Sequence, residues 1–187
     1  MKNEFDELFK QACNGELPTS FDRWGFRFPL WGISVAHVAA KHGHLSPDFD
    51  QWDMADCEGV TVAHTAARYG HLSPDFDQWD MWDKRGLSVA HIAATYGNLP
   101  HDFGQWEIAR ANGWSVAHMA ASKGHLPPDF DQWGIMNNEG WTVAHQAAYR
   151  GHLPPDFDRW DLKDFAEWSV RDIHDLWKKN ADKMKGK

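Results

Sequence analysis

The sequence predicts an all-α solenoid of short helix-turn-helix repeats, and three observations carry that expectation. His37, His64, His91, His118 and His145 stand 27 residues apart, each inside the motif S/T-V-A-H-x-A-A. Trp52, Trp79, Trp106, Trp133 and Trp160 keep the same step, each closing D-F-x-Q/R-W. The composition carries the mark of a copied pattern, with 12 Trp and 12 His against 3 Tyr in 187 residues. A fixed period of this size belongs to stacked units, each burying its apolar face against the next.

Five copies begin at Gly32, Gly59, Gly86, Gly113 and Gly140, and the last ends at Ala166. Residues 1–31 are expected to cap the first copy, because Gly15 to Trp24 matches the second half of a repeat. Residues 167–187 are expected to cap the last. Trp168-Ser169-Val170 matches Trp141-Thr142-Val143, and then Arg171 and Asp172 replace Ala and His. Caps and repeats together read as one structural domain.

Within a copy, Ser34, Thr61, Ser88, Ser115 and Thr142 stand at helix N-cap positions, where a hydroxyl satisfies an early backbone N–H. The His three residues on can reach back as a capping-box partner. Small alanines follow, and Gly43 and its equivalents close the helix. The next segment, Leu45 to Trp52, predicts a second helix of about two turns, with Pro47 at N1 and carboxylates in its first turn. The following position is always apolar (Met54, Met81, Ile108, Ile135, Leu162), and four turn residues complete the copy.

The run G-V-T-V-A-H-T-A-A-R-Y-G-H-L at Gly59 to Leu72 resembles the ankyrin repeat, whose hallmark is G-x-T-P-L-H-x-A-A-x-x-G-H. The likeness recurs in all five copies. It departs from the family in its 27-residue step, against about 33, in Val-Ala for Pro-Leu, and in P-D-F-D-Q-W for the longer second helix. Those departures fall on the projecting β-hairpin fingers and on the curvature. Leucine-rich, tetratricopeptide and β-propeller readings fail, because their ladders, spacings and strand periods are absent. The resemblance implies a binding surface on the first-helix face and the turn tips.

The ladders of polar residues read as structural. Histidines about 10 Å apart cannot share a metal with ~2 Å bonds; each is expected to bond its N-cap hydroxyl and a backbone group of the neighbouring repeat. A second ladder, His44, His71, His125 and His152, has Asn98 in its third place, and Asn substitutes for a hydrogen-bonding imidazole but not for a base. The carboxylates of Asp48, Asp50, Asp75, Asp77 and their equivalents are expected to stabilise helix N-termini. The Phe and Trp ladders are expected to be core.

Net charge is −8, from −12 over residues 1–177 and +4 over the last ten. An acidic body disfavours direct binding to nucleic acid, which rewards Lys and Arg. No apolar run approaches a membrane span or a signal core. Cys13 and Cys57 form no disulfide framework or metal spacing, which points to a reducing cytoplasm. Acidic neighbours make Cys57 a poor nucleophile. The chain has no phosphate loop, G-x-S-x-G or H-E-x-x-H motif.

The expected function is therefore non-enzymatic: a protein-binding module and monomer, without cofactor or metal, using positions that differ between copies. These are Met119 and Gln146 on the helix, with Val38, Thr65 and Ile92 in the same place. Tyr69, Tyr96 and Tyr149 lie near the helix ends. At the tips are Trp82, Lys84, Arg85, Arg110 and Met136. Trp82 stands where other copies have Ala55, Ala109, Met136 and Lys163, a position free of packing demands and suited to a binding anchor. Two alternatives stand beside this: an acidic inhibitor that fills a nucleic-acid channel on another protein, and metal or catalytic use of the His and Asp ladders.

Overall fold

The computed structural model describes residues 2–27 and 31–185. The chain divides into two compact units, Met1–Pro100 and His101–Lys187. In the first, α1 (Lys2–Asn14), α2 (Val35–His42), α3 (Val62–Tyr69) and α4 (Val89–Tyr96) pack each on the next. In the second, α5 (Val116–Lys123), α6 (Val143–Arg150) and α7 (Val170–Lys185) do the same. Residues 28–30, where the N-terminal cap was expected to end, lie outside the described residues.

Each eight-residue repeat helix is too short to hold itself in water, so its ends are tied. The N-cap hydroxyl accepts from the His N–H at N3, and the imidazole accepts from the N-cap N–H, completing a capping box in all five copies. The two preceding N–H groups find carbonyls upstream: Val62 donates to Met54 (3.0 Å) and Ala63 to Trp52 (3.1 Å). All four orphan donors of the helix start are thereby accounted for. Val62, Ala63, Ala66 and Ala67 and their equivalents are fully buried, which lets the helices approach closely.

The expected second helix is absent. Leu45 to Ala55 instead makes two reverse turns, with the Phe49 N–H donating to Ser46 O (3.0 Å) and the Met54 N–H to Gln51 O (3.2 Å). Pro47-Asp48 occupies the centre of the first turn, where Pro's fixed φ is favoured. A two-turn helix bears the full nucleation cost for few bonds, whereas the turns aim both rings inward. Phe and Trp then stack edge to face along each unit: Trp24–Phe49 (5.5 Å), Phe49–Trp52 (5.2 Å) and Trp52–Phe76 (5.5 Å) in the first. In the second, Trp106–Phe130 (5.3 Å), Trp133–Phe157 (5.2 Å) and Phe157–Trp160 (5.1 Å) continue the same geometry. Asp48, Asp50, Asp75 and Asp77 consequently cap no helix and lie exposed.

The fingers shrink to one antiparallel bridge per tip, such as Ala55↔Thr61 and Trp82↔Ser88. At the C-terminal end Asp172 replaces the ladder histidine and still completes the cap. Its carboxylate accepts from the Ser169 N–H (2.9 Å), and its own N–H donates to Ser169 Oγ (3.2 Å). Trp177 of α7 lies against Gly151, the left-handed residue that ends α6, and leaves no room there for a Cβ.

Candidate functional site

Both ring nitrogens of His37, His64, His118 and His145 are engaged. His37 Nδ1 accepts from the Ser34 N–H (3.2 Å) and lies 2.7 Å from Ser34 Oγ, and Nε2 donates to Val60 O (3.0 Å) of the next repeat. His64 reaches Leu87 O, His118 reaches Trp141 O and His145 reaches Trp168 O in the same way. An Nδ1 that receives a backbone N–H carries no proton, so these rings are neutral. Burial holds His37, His64, His118 and His145 below the ordinary imidazole range, against a smaller opposing pull from the carbonyl. The second ladder caps helix C-termini: His71 Nδ1 donates to Ala40 O (3.0 Å), Asn98 Nδ2 to Ala67 O (2.9 Å) and His152 Nδ1 to Ala121 O (3.0 Å). Among the described residues no three of His, Cys, Asp and Glu converge on a metal position.

The tips share a turn built around one side-chain oxygen. Asp56 Oδ1 accepts from the Glu58 and Val60 N–H groups (2.9 Å each), folding the turn around one carboxylate. Asp83, Asn137 and Asp164 do the same at the 27-residue step. Asp83 and Asn137 are only 6% and 4% exposed, so they shape the tip rather than meet a partner. Their recurrence was visible in the sequence, hidden by Arg110 in the third place.

The predicted contact residues separate into four groups. Trp82 is 43% exposed, one face of its indole leaning on His91 at 5.5 Å. Beside it, Lys84 Nζ donates to Cys57 O (2.8 Å), and Arg85 donates to Asp83 Oδ2 through Nε (2.9 Å) and Nη2 (2.7 Å). Tyr69 and Tyr96 are exposed at the far ends of α3 and α4, with the Arg68 guanidinium 5.7 Å and 5.2 Å from their rings. In the second unit Met136 and Tyr149 are exposed, Tyr149 standing edge-on to Trp141 at 6.3 Å. Met119 and Arg110 are half-buried.

Gln146 is a correction. It is buried, and its Oε1 accepts from Trp141 Nε1 (3.2 Å). Trp141 replaces the Val60 and Leu87 of earlier copies and brings an indole N–H that needs an acceptor, which Gln146 supplies. Its difference from Val38 and Ile92 reflects that internal pairing.

No protein-family model matches the sequence, and no curated protein matches it. Among solved structures the chain is similar to the ankyrin repeat domain of Bcl-3, a member of the IkappaB protein family. The match has a TM-score of 0.53 at 15% identity, over 92% of this chain and 91% of that one. The chain has the ankyrin-repeat fold. Its ankyrin-like repeats keep the first helix and reduce the finger to one bridge. The second helix becomes two turns with a Phe and a Trp, which accounts for the shortened step.

Proposed function

We propose that this ankyrin-repeat chain is a non-enzymatic module that binds a protein partner through the positions at which its copies differ. The observation that carries the reading is the match between variation and exposure. Val and Ala of the repeat helices, constant across copies, are buried, whereas Tyr69, Trp82, Tyr96, Met136 and Tyr149 expose large apolar surface at variable positions. In the first unit Trp82 is the anchor, with Lys84 and Arg85 held beside it as fixed charges, and in the second unit Met119 and Arg110 are further contact positions. Engagement of both nitrogens in His37, His64, His118 and His145 speaks against a catalytic or metal role for them. Among the described residues no helix is long and apolar enough to cross a membrane. We place the module in the cytoplasm as a monomer without cofactor, consistent with two free cysteines.

The test is to capture partners with the parent chain and compare Trp82→Ala. Binding should weaken about thirtyfold, the loss expected for a hot-spot Trp, with the melting temperature kept. Binding equal to the parent's would remove Trp82 from the interface. A second reading, the acidic inhibitor of a nucleic-acid-binding protein, draws on the exposed Asp48, Asp50, Asp75 and Asp77, which no longer have a helix to cap. It requires a steep loss of binding with salt that Trp82→Ala does not alter.

A further inference from the structure

We infer that the C-terminal turns of α2, α3 and α4 form a docking strip for an extended acidic segment of the protein partner. This deepens the binding-module reading and rests on it. Along the strip Lys41 Nζ lies 5.9 Å from the Tyr69 ring, and the Arg68 guanidinium stands between Tyr69 and Tyr96. Cations and rings therefore alternate over three successive helices.

The charge of the strip opposes that of the body. None of α2, α3 and α4 contains an Asp or Glu. Among the described residues Lys41 and Arg68 have no ion pair, whereas four other cations of this unit are committed. Arg23 pairs with Glu4, Arg85 with Asp83, Lys84 bonds Cys57 O and Arg27 bonds Gly32 O. The titratable groups around the strip are His42, His44 and His71. Burial first, and then Lys41, His44 and His71, holds His42 below the usual imidazole range, as in a locally cationic setting. The unit's carboxylates lie instead on α1, in the turn segments and at the tips.

A helix C-terminus favours a cation, which accounts for the sign of Lys41 and Arg68 but not for two exposed tyrosines around them. The stacking restrains Arg68 in advance and leaves guanidinium N–H groups for a bidentate carboxylate. Successive packed helices lie about 10 Å apart. A polyproline-like chain advances about 3.1 Å per residue with three residues per turn, so acids three residues apart meet Lys41 on α2 and Arg68 on α3, while α4 supplies the Tyr96 ring and no cation in its last turn. Phosphate backbones need many cations and would meet an acidic body.

The probe is a peptide of repeating Glu-Pro-Ser units, titrated into the isotopically labelled full-length chain and followed by amide chemical shifts. Saturable shifts at Lys41, His42, Arg68, Tyr69 and Tyr96 are expected, with none from the Gln-Pro-Ser peptide. Arg68→Gln and Lys41→Gln should each weaken the peptide about tenfold, with melting curves confirming that both variants fold. The inference is overturned by equal response to the Gln peptide, by shifts confined to other surfaces, or by undiminished affinity in both variants. Displacement of the peptide by oligothymidine, or a salt-sensitive dimer of the chain lost in Arg68→Gln, overturns it in favour of those occupants. A captured partner released by Trp82→Ala but not by Arg68→Gln sinks this inference and leaves the module intact. A chain that captures no partner yet saturates with the Glu peptide sinks the module reading and leaves the strip.

Discussion

At the residue scale, the tip carboxylate and its one amide variant make a natural comparison. Asp83 is buried, which works to raise its pKa, yet the Leu87 N–H and then Arg85 outweigh that and hold it below the carboxylate range. In Asn137 the same Oδ1 folds the turn, but Nδ2 is buried without a partner. An unsatisfied buried donor costs about 1–3 kcal/mol. Asn137→Asp, which restores the residue of the Asp56, Asp83 and Asp164 tips, exchanges that amide for a buried carboxylate beside Glu139, where Asp83 has Arg85. It should lower stability by about 1–3 kcal/mol, measured by denaturant titration. A variant at least as stable as the parent would show that the tip holds the carboxylate without a cation beside it. The tip device escaped the sequence reading because Asp and Asn are common in any turn, and only the hydrogen bonds distinguish a turn template from a surface residue.

At the scale of the element, Trp79 and Trp82 lie three residues apart with opposite roles. Trp79 belongs to the constant edge-to-face ladder and stands 5.2 Å from Phe76. Trp79→Ala should cost about 3–5 kcal/mol as a large-to-small core change. Trp82→Ala removes a half-open ring and should cost well under half of that; equal losses in urea unfolding would mean that the tip indole is core. The missing second helix is instructive at this scale. S-P-D-F carries two signals, since Pro followed by Asp opens a helix or centres a β-turn. The sequence does not choose between them. The aromatic spacing does so only once neighbouring rings are present, because Phe49 must meet both Trp24 and Trp52. The first helix was legible down to its cap, because capping box, alanine face and terminal glycine are local chemistry. Helix α1 lacked such a repeated signature and was not anticipated as a helix.

At the scale of the whole molecule, the buried histidines act together. His37, His64, His118 and His145 have folded pKa values below the unfolded value of about 6.5. As pH falls through 6.5 the unfolded chain takes up protons first, so stability declines down to the folded pKa values and then levels off. The melting temperature should be clearly lower at pH 5.5 than at pH 7.5, and His64→Gln should reduce that difference. Equal melting at the two pH values would contradict neutral, buried rings. The C-terminal cap gives a second global expectation. Ending the chain at Ala166 removes α7 with buried Val170 and Ile173 and uncovers α6. Aggregation in size-exclusion chromatography is expected; a soluble truncation of parental helicity would deny α7 its capping role.

The sequence by itself determined the repeat, its period, the capped helix and the neutral role of the histidine ladder, because each rests on contacts that recur every 27 residues. Tertiary structure alone decided what lies between the helices and which variable residues are open to solvent. Gln146 is buried against the Trp141 indole N–H, and that pairing exists only after folding. Tyr69, Arg68 and Tyr96 became one strip because helix stacking brings together side chains that are 27 or 28 positions apart in the chain. Exposure is a property of neighbours, and a repeated sequence specifies its neighbours only where every copy is alike.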